Sequence, residues 1–241
     1  MIKLSVNVNK IALLRNSRGA NIPDVQLFAK DCERYGADGI TVHPRPDERH
    51  IRYSDVYQLK ETVAGEFNIE GYPDERFMAM VLDVCPHQVT FVPDAPGVLT
   101  SDAGWDIKKN TNWLKPVIQK CKDKGIRVSL FIEPNIESID QAIEVGADRG
   151  ELYTGPFAYN FYKNPEQSVE AYVTTGKYAT EKGFLLNAGH DLNLDNLSFF
   201  SKNVPGVCEV SIGHALVRDC LYFGLENTVR MYKRELGFYE N

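Results

Sequence analysis

The segment Gly36-Ala-Asp-Gly-Ile-Thr-Val-His43 reads as a helix stop, a short strand and a polar residue at the strand's end. Upstream of it, Val25, Phe28, Ala29 and Cys32 recur at helical spacing, and Gly36 ends that helix. Ile40, Thr41 and Val42 are β-branched and the run is too short for a helix, so it is a strand. Downstream, Ser54 suits a helix N-cap, followed by a face of Val56, Leu59 and Val63. Gly146-Ala-Asp148 repeats the same tripeptide at a second helix-to-strand junction.

The unit recurs along the chain. Short apolar runs fall at residues 4–8, 39–43, 67–70, 88–92, 127–133, 150–153, 184–187 and 209–212. Amphipathic helical patterns separate them, one capped by Asp74, and a helical tail broken at Gly224 follows the last run. A polar loop precedes the helix at Val25, and two further connections, 93–109 and 155–165, are long enough for lids or binding loops. Strict strand-then-helix alternation implies parallel strands with helical crossovers, and eight such units close into an α/β (β/α)8 TIM barrel. An open doubly wound sheet competes, but its usual glycine-rich turn is absent after the first strand, which leads into Asn7-Val-Asn-Lys10. The 241 residues suit one barrel domain over 1–241.

Charge and cysteine usage narrow the function classes. The formal net charge of -6 argues against a nucleic-acid partner, while leaving room for local phosphate sites. No apolar run approaches a membrane span and no leader pattern opens the chain, so a cytoplasmic protein is expected. The five cysteines are odd in number and show no CxxC spacing, which suits reduced thiols.

In a barrel the catalytic face lies at the C-terminal ends of the strands. There this sequence places Asn7 and Asn9, His43 and Arg45, Glu70, Asp94, Glu133, Glu151 and Thr154, His190, and Gly213-His214. Any one polar residue at a strand end is ordinary. Three histidines with several carboxylates on one rim point to proton transfer near neutral pH. No HxH or HExxH spacing appears, and no metal is expected. The turns Ala188-Gly-His-Asp191 and Gly213-His-Ala215 follow the strands whose loops often bind phosphate in barrels. Arg15, Asn16, Arg18 and Gly19 form one basic loop, and Arg45, Arg49, His50 and Arg52 a second, which suggests two phosphate groups. His87, just ahead of the fourth strand, belongs to the opposite rim and reads as structural.

These residues resemble a known family, the pyridoxine 5'-phosphate synthases (PdxJ). The match lies in 6–12 with 14–19, in Gly36–His43 with Arg45 and Arg49-His-Ile51, in Asn68-Ile-Glu70, in Val128-Ser-Leu-Phe-Ile132, in Asn187-Ala-Gly-His190 and in Ile212-Gly-His-Ala215. The resemblance implies a barrel with extra helices, assembled into a homo-octamer, that needs no cofactor. It implies condensation of 3-amino-2-oxopropyl phosphate with 1-deoxy-D-xylulose 5-phosphate to pyridoxine 5'-phosphate, inorganic phosphate and water. It assigns His43 as general base, Glu70 as a second proton acceptor, Glu151 as a stabiliser of transition-state charge and His190 as proton donor. Asn7, Arg18, Gly213 and His214 would hold the aminoketone phosphate; Arg45, His50 and Thr100 would hold the sugar phosphate.

Two positions depart from the family pattern. Asn9-Lys10, which would contact the sugar phosphate, stands where many members have Asp-His, and Asp191 stands where many have Gly. Two other readings remain open: a Schiff-base aldolase or isomerase, for which Lys10 is the nearest lysine, and a barrel that binds a phosphorylated ligand without turnover.

Overall fold

The computed structural model describes residues 1–94 and 103–238. Its elements run β1 (Lys3–Asn7), α1 (Asn9–Asn16), α2 (Val25–Arg34), β2 (Gly39–Val42), α3 (Tyr53–Thr62), β3 (Glu66–Gly71), α4 (Glu75–Val84), β4 (Gln88–Phe91), α5 (Ile107–Lys122), β5 (Arg127–Ile132), α6 (Ile136–Glu144), β6 (Arg149–Leu152), α7 (Gly155–Phe161), α8 (Pro165–Glu181), β7 (Leu185–Ala188), α9 (Leu197–Asn203), β8 (Val207–Ile212), α10 (His214–Phe223) and α11 (Leu225–Glu235). The eight strands are parallel and close into a barrel in chain order, with β1 paired to both β2 and β8. The expected (β/α)8 TIM barrel with additional helices is therefore the observed fold.

The repeated Gly-Ala-Asp has a mechanical reason. Gly36 (φ +109°) and Gly146 (φ +88°) adopt conformations that favour glycine and end α2 and α6. The N–H of Ala37 then reaches back to the Cys32 carbonyl, and that of Ala147 to the Ala142 carbonyl, each at 3.0 Å. The Asp that follows binds the preceding strand through backbone and side chain together. Asp38 donates its N–H to the Leu4 carbonyl at 2.8 Å and accepts the Leu4 N–H at 2.8 Å; Asp148 does the same with Val128, both at 2.8 Å. Each tripeptide thus ends a helix and sets the register of a new strand.

Strand alternation sorts the side chains. Leu4, Val6, Ile40, Val42, Phe67, Ile69, Val89, Phe91, Leu130 and Ile132 are buried towards the helices. Barrel interiors are commonly filled by branched aliphatic residues, but this one is polar. Ser5 and Thr41 hydroxyls meet at 2.7 Å, Asn68 donates to Thr41 at 3.3 Å, and Thr90 donates to Asn68 at 3.1 Å. At the N-terminal end, Arg149 donates to Glu209 at 2.8 Å and Asn187 at 3.2 Å, while Arg127 pairs with Glu66 and donates to Gln88 at 2.8 Å.

Three local expectations change. The polar loop before Val25 holds α1, whose buried face is only Ile11, Ala12 and Arg15, too little apolar periodicity to read. Connection 155–165 holds α7, whose Phe157 packs on Phe200 and Tyr172 at ring-centroid distances of 5.0 and 5.9 Å. The N-cap of α3 is Arg52 rather than Ser54, and Asp55 accepts the Arg52 N–H at 2.8 Å. Asp74 caps α4 as expected, accepting the Phe77 N–H at 2.8 Å.

Candidate active site

A cavity of about 640 Å³ opens at the C-terminal ends of the strands. Asn7, Asn9, Lys10, His43, Arg45, His50, Glu70, Glu151, His190, Asp191, Gly213 and His214 all line it. Arg18 is exposed and does not line it, and Thr100 lies outside the described residues.

The strand-one residues organise one wall. Asn7 Oδ1 accepts the Asn9 N–H at 3.1 Å, and Asn9 Oδ1 accepts the His43 N–H at 2.9 Å. Asn7 Nδ2 donates to Glu70 Oε2 at 3.4 Å, and that oxygen lies 4.0 Å from His43 Nδ1. An asparagine at position 9 thus serves as a backbone acceptor that fixes His43. Lys10, beside it, is exposed at the cavity edge.

Burial sets the protonation states. His43 is pushed well below the usual imidazole range by burial and by the nearby Arg45 and His50, so it is neutral at physiological pH and able to take a proton. Burial raises Glu70 to about 8; Arg45 opposes the rise and Asp94 adds to it. Glu151 is raised well above the carboxylate range by burial and by Glu70, with only a Thr90 hydrogen bond opposing. Its Oε2 has no protein hydrogen-bond partner among the described residues. Burial thus favours the protonated form of both carboxyls, and the charge of Glu70 adds to the effect on Glu151. His190 is lowered by burial, with Asp191 opposing; its ring packs on Phe131 at 5.0 Å and its carbonyl accepts the Thr154 hydroxyl at 2.5 Å.

The cation-bearing loop after β2 forms the second wall. Arg45 pairs with Asp94 at 2.9 Å, with both side chains nearly buried. His50 Nδ1 accepts the Ile51 N–H at 2.9 Å, which leaves the ring proton on Nε2. Burial and Arg45 lower His50 to about 4, so it acts as a neutral donor. Arg15 and Asn16, read from sequence as a phosphate loop, are not cavity residues. Arg15 is buried in a two-point pair with Asp55 at 2.6 and 2.8 Å. A sequence cannot separate such an arginine from a solvated one.

The third wall is formed by the turns after β7 and β8. Gly213 and His214 start α10, whose first turn offers unpaired N–H groups and the positive end of the helix dipole. Gly189 is required there, because a Cβ would lie 2.2 Å from the Ser211 carbonyl oxygen. Asp191 sits at φ +62°, its carbonyl accepting amide hydrogens from Asn193 and Asn196 at 3.4 and 3.2 Å. Sequence reasoning missed Arg218, Asn193 and Ser211, which line the cavity; Tyr159, from connection 155–165, lines it too. Arg218 lies one helical turn after His214, and that spacing could have revealed it. Glu133, a rim candidate, instead accepts the Gly104 N–H at 2.8 Å, and His87, as expected, is far from the site and accepts the Phe67 N–H at 3.1 Å.

Known proteins share both sequence and fold. A pyridoxine 5'-phosphate synthase of Porphyromonas gingivalis is 55% identical over 237 residues, covering 98% of this chain and 100% of that protein. One from Bacteroides fragilis is 56% identical over 233 residues, covering 97% and 98%. A thiamine phosphate pyrophosphorylase from Pyrococcus furiosus superposes with a TM-score of 0.62 over 98% of this chain and 95% of its own; at 13% identity this likeness concerns the fold alone. The family model described as pyridoxal phosphate biosynthesis protein PdxJ matches residues 4–237, and the chain belongs to that family.

Proposed function

We propose that this barrel is a pyridoxine 5'-phosphate synthase that condenses 3-amino-2-oxopropyl phosphate with 1-deoxy-D-xylulose 5-phosphate, giving pyridoxine 5'-phosphate, inorganic phosphate and water. The observation that carries the reading is one cavity lined by two buried carboxyls, Glu70 and Glu151, by His43 and His190, by Arg45 and His50 on one side and by the Gly213-His214 start of α10 on the other. Ring closure needs carbonyl–amine condensation, eliminations and repeated proton transfers, and that cluster supplies donors and acceptors within one site.

Neutral His43 is the general base. Burial favours the protonated form of Glu70 at neutral pH before a substrate's charge acts on it. It becomes an acceptor once that proton is given up, which the cationic amine of the aminoketone favours by its charge. Protonated Glu151 donates to an oxygen on which charge develops. His190, neutral at rest, takes up a proton released within the site and passes it to a leaving hydroxyl. Asn7, Gly213, His214 and the start of α10 hold the aminoketone phosphate, together with Arg18. Arg45, His50, Asn9, Lys10 and Thr100 hold the sugar phosphate, and Asp191 borders the aminoketone end. The chemistry uses protein side chains alone.

The same proposal includes a cytoplasmic homo-oligomer, by family likeness an octamer. No helix among the described residues is long and apolar enough to cross a membrane, and all five cysteines are free. Leu13 and Leu14 on α1 and Leu221 and Tyr222 on α10 are exposed apolar side chains on helices that touch each other, suited to a subunit contact.

The test is to mix the purified protein with both substrates and follow pyridoxine 5'-phosphate by mass and phosphate by release. Equal amounts of both products support the reading. Folded protein that yields neither overturns it, and borohydride trapping of substrate on Lys10 would replace it with Schiff-base chemistry.

A further inference from the structure

Two residues at the end of α1 hold the loop after β2 by its backbone. Arg15 is fully buried. Its Nη1 and Nη2 donate to the two Asp55 carboxylate oxygens at 2.6 and 2.8 Å, and Nη2 also donates to the His50 carbonyl at 3.1 Å. Its Nε donates to Asn16 Oδ1 at 3.0 Å. That bond fixes the Asn16 amide so that Nδ2 faces three successive carbonyls, those of Glu48, Arg49 and His50, at 3.3, 3.2 and 2.8 Å. Asp55 Oδ2 also accepts the Arg52 N–H. The loop from 48 to 52 is therefore gripped from α1 and α3 together.

Stability alone does not account for this arrangement. A buried ion pair offsets most of its attraction with the cost of dehydrating both charges, and apolar residues of similar size would join α1 to α3 as well. What apolar residues cannot do is hold carbonyls in fixed positions. The gripped residue that reaches the cavity is His50, whose ring is oriented in turn by the Ile51 N–H. The helix that does the gripping starts with Asn9 and Lys10, which also line the cavity. One rigid helix of eight residues thus spans from the strand-one wall to the loop after β2.

We propose that Arg15, Asn16 and Asp55 form a positioning unit that sets His50 relative to Asn9 and Lys10, and so fixes the geometry of the subsite for the sugar phosphate. The proposal rests on the reading above that His50 and Arg45 hold 1-deoxy-D-xylulose 5-phosphate. None of the three residues is catalytic; they act through His50.

Two variants test it. Asn16→Ala removes the three carbonyl contacts. The paired change Arg15→Met with Asp55→Asn removes both charges, leaves no unpaired buried ion, and keeps an acceptor for the Arg52 N–H. Three quantities are read: the Kd of 1-deoxy-D-xylulose 5-phosphate by calorimetry without turnover, the KM of each substrate with kcat, and the ¹⁵N shifts of the His50 ring. The expected result is a Kd and KM for the sugar phosphate raised about tenfold, with the KM of the aminoketone phosphate and kcat moving far less. The His50 ring nitrogens should shift from one defined Nε2–H tautomer towards a mixture. Unchanged sugar-phosphate binding with unchanged His50 shifts in folded variants overturns the proposal, as does equal weakening of both substrates. Wild-type protein that fails to bind the sugar phosphate sinks the substrate assignment instead, and the His50 shifts then still decide whether the unit positions that ring.

Discussion

The two ends of the barrel interior are both charged, and they treat their charges differently. At the N-terminal end Arg149 meets Glu209 at 2.8 Å and Glu66 at 3.9 Å, and Arg127 pairs with Glu66. At the C-terminal mouth Glu70 and Glu151 are also buried; Asn7 and a histidine 4.0 Å away approach Glu70, Thr90 bonds Glu151, and Arg45 acts on Glu70 through its charge. One end spends its charges on each other. Burial still raises Glu209 to about 8 there, but beside arginines that hold it; the other end keeps Glu70 and Glu151 raised and the imidazoles neutral next to a single Arg45–Asp94 pair, open to a substrate. The difference separates residues kept for the fold from residues kept for chemistry, although both sets face the same interior.

Substitutions at each end sharpen that contrast. His43→Ala should leave a folded protein that binds both substrates and loses turnover by a factor of about 10³ or more, measured by steady-state product formation. At the other end, Arg149→Met leaves Glu209 without its cation and should destabilise the barrel by about 3 kcal/mol, lowering the melting temperature by about 6–12 °C. The kcat of the folded fraction should stay within a few-fold. If Arg149→Met instead abolished turnover without loss of stability, the division between the two ends would be wrong.

Smaller effects test the mouth in more detail. Arg218 donates to Asp219 at 2.8 Å, and Asp219 is held by the Tyr232 hydroxyl at 2.8 Å, so its guanidinium is braced at the cavity edge. Arg218→Ala should raise the KM of the aminoketone phosphate by about tenfold, with the sugar phosphate little affected. Asp191→Gly should relieve the positive φ and stabilise the protein by about 0.5–1 kcal/mol, read by urea unfolding. It should also bind the aminoketone phosphate slightly more tightly, because a carboxylate leaves its neighbourhood.

Much of the barrel was legible because eight apolar runs, helix-stopping glycines and the Gly-Ala-Asp repeat all carry local signals. The rim followed from strand polarity: Glu70, Glu151 and His190 stand where β3, β6 and β7 deliver them. Other features had no local signal. The buried side of α1 is partly an arginine, so its helix read as a polar loop and Arg15 as a phosphate ligand. Phe157 and Phe161 in α7 satisfy an aromatic cluster formed with α8 and α9, which only the tertiary structure brings together. Arg218 needed the start of α10 to be located before its one-turn spacing from His214 meant anything.

The most direct test of the division between fold and chemistry is Glu70→Gln, followed in turnover and in stability across pH. Burial lifts the folded pKa of Glu70 to about 8, against about 4.3 for an unfolded glutamate. Its favourable contribution is therefore complete below the unfolded value and is lost as pH rises through about 8. Glutamine does not ionise and escapes that loss. The variant should melt close to wild type at pH ~4.3, melt above it by a margin that grows up to pH ~8, and make no pyridoxine 5'-phosphate. Retained turnover, or a variant less stable than wild type on the alkaline side, would contradict the account.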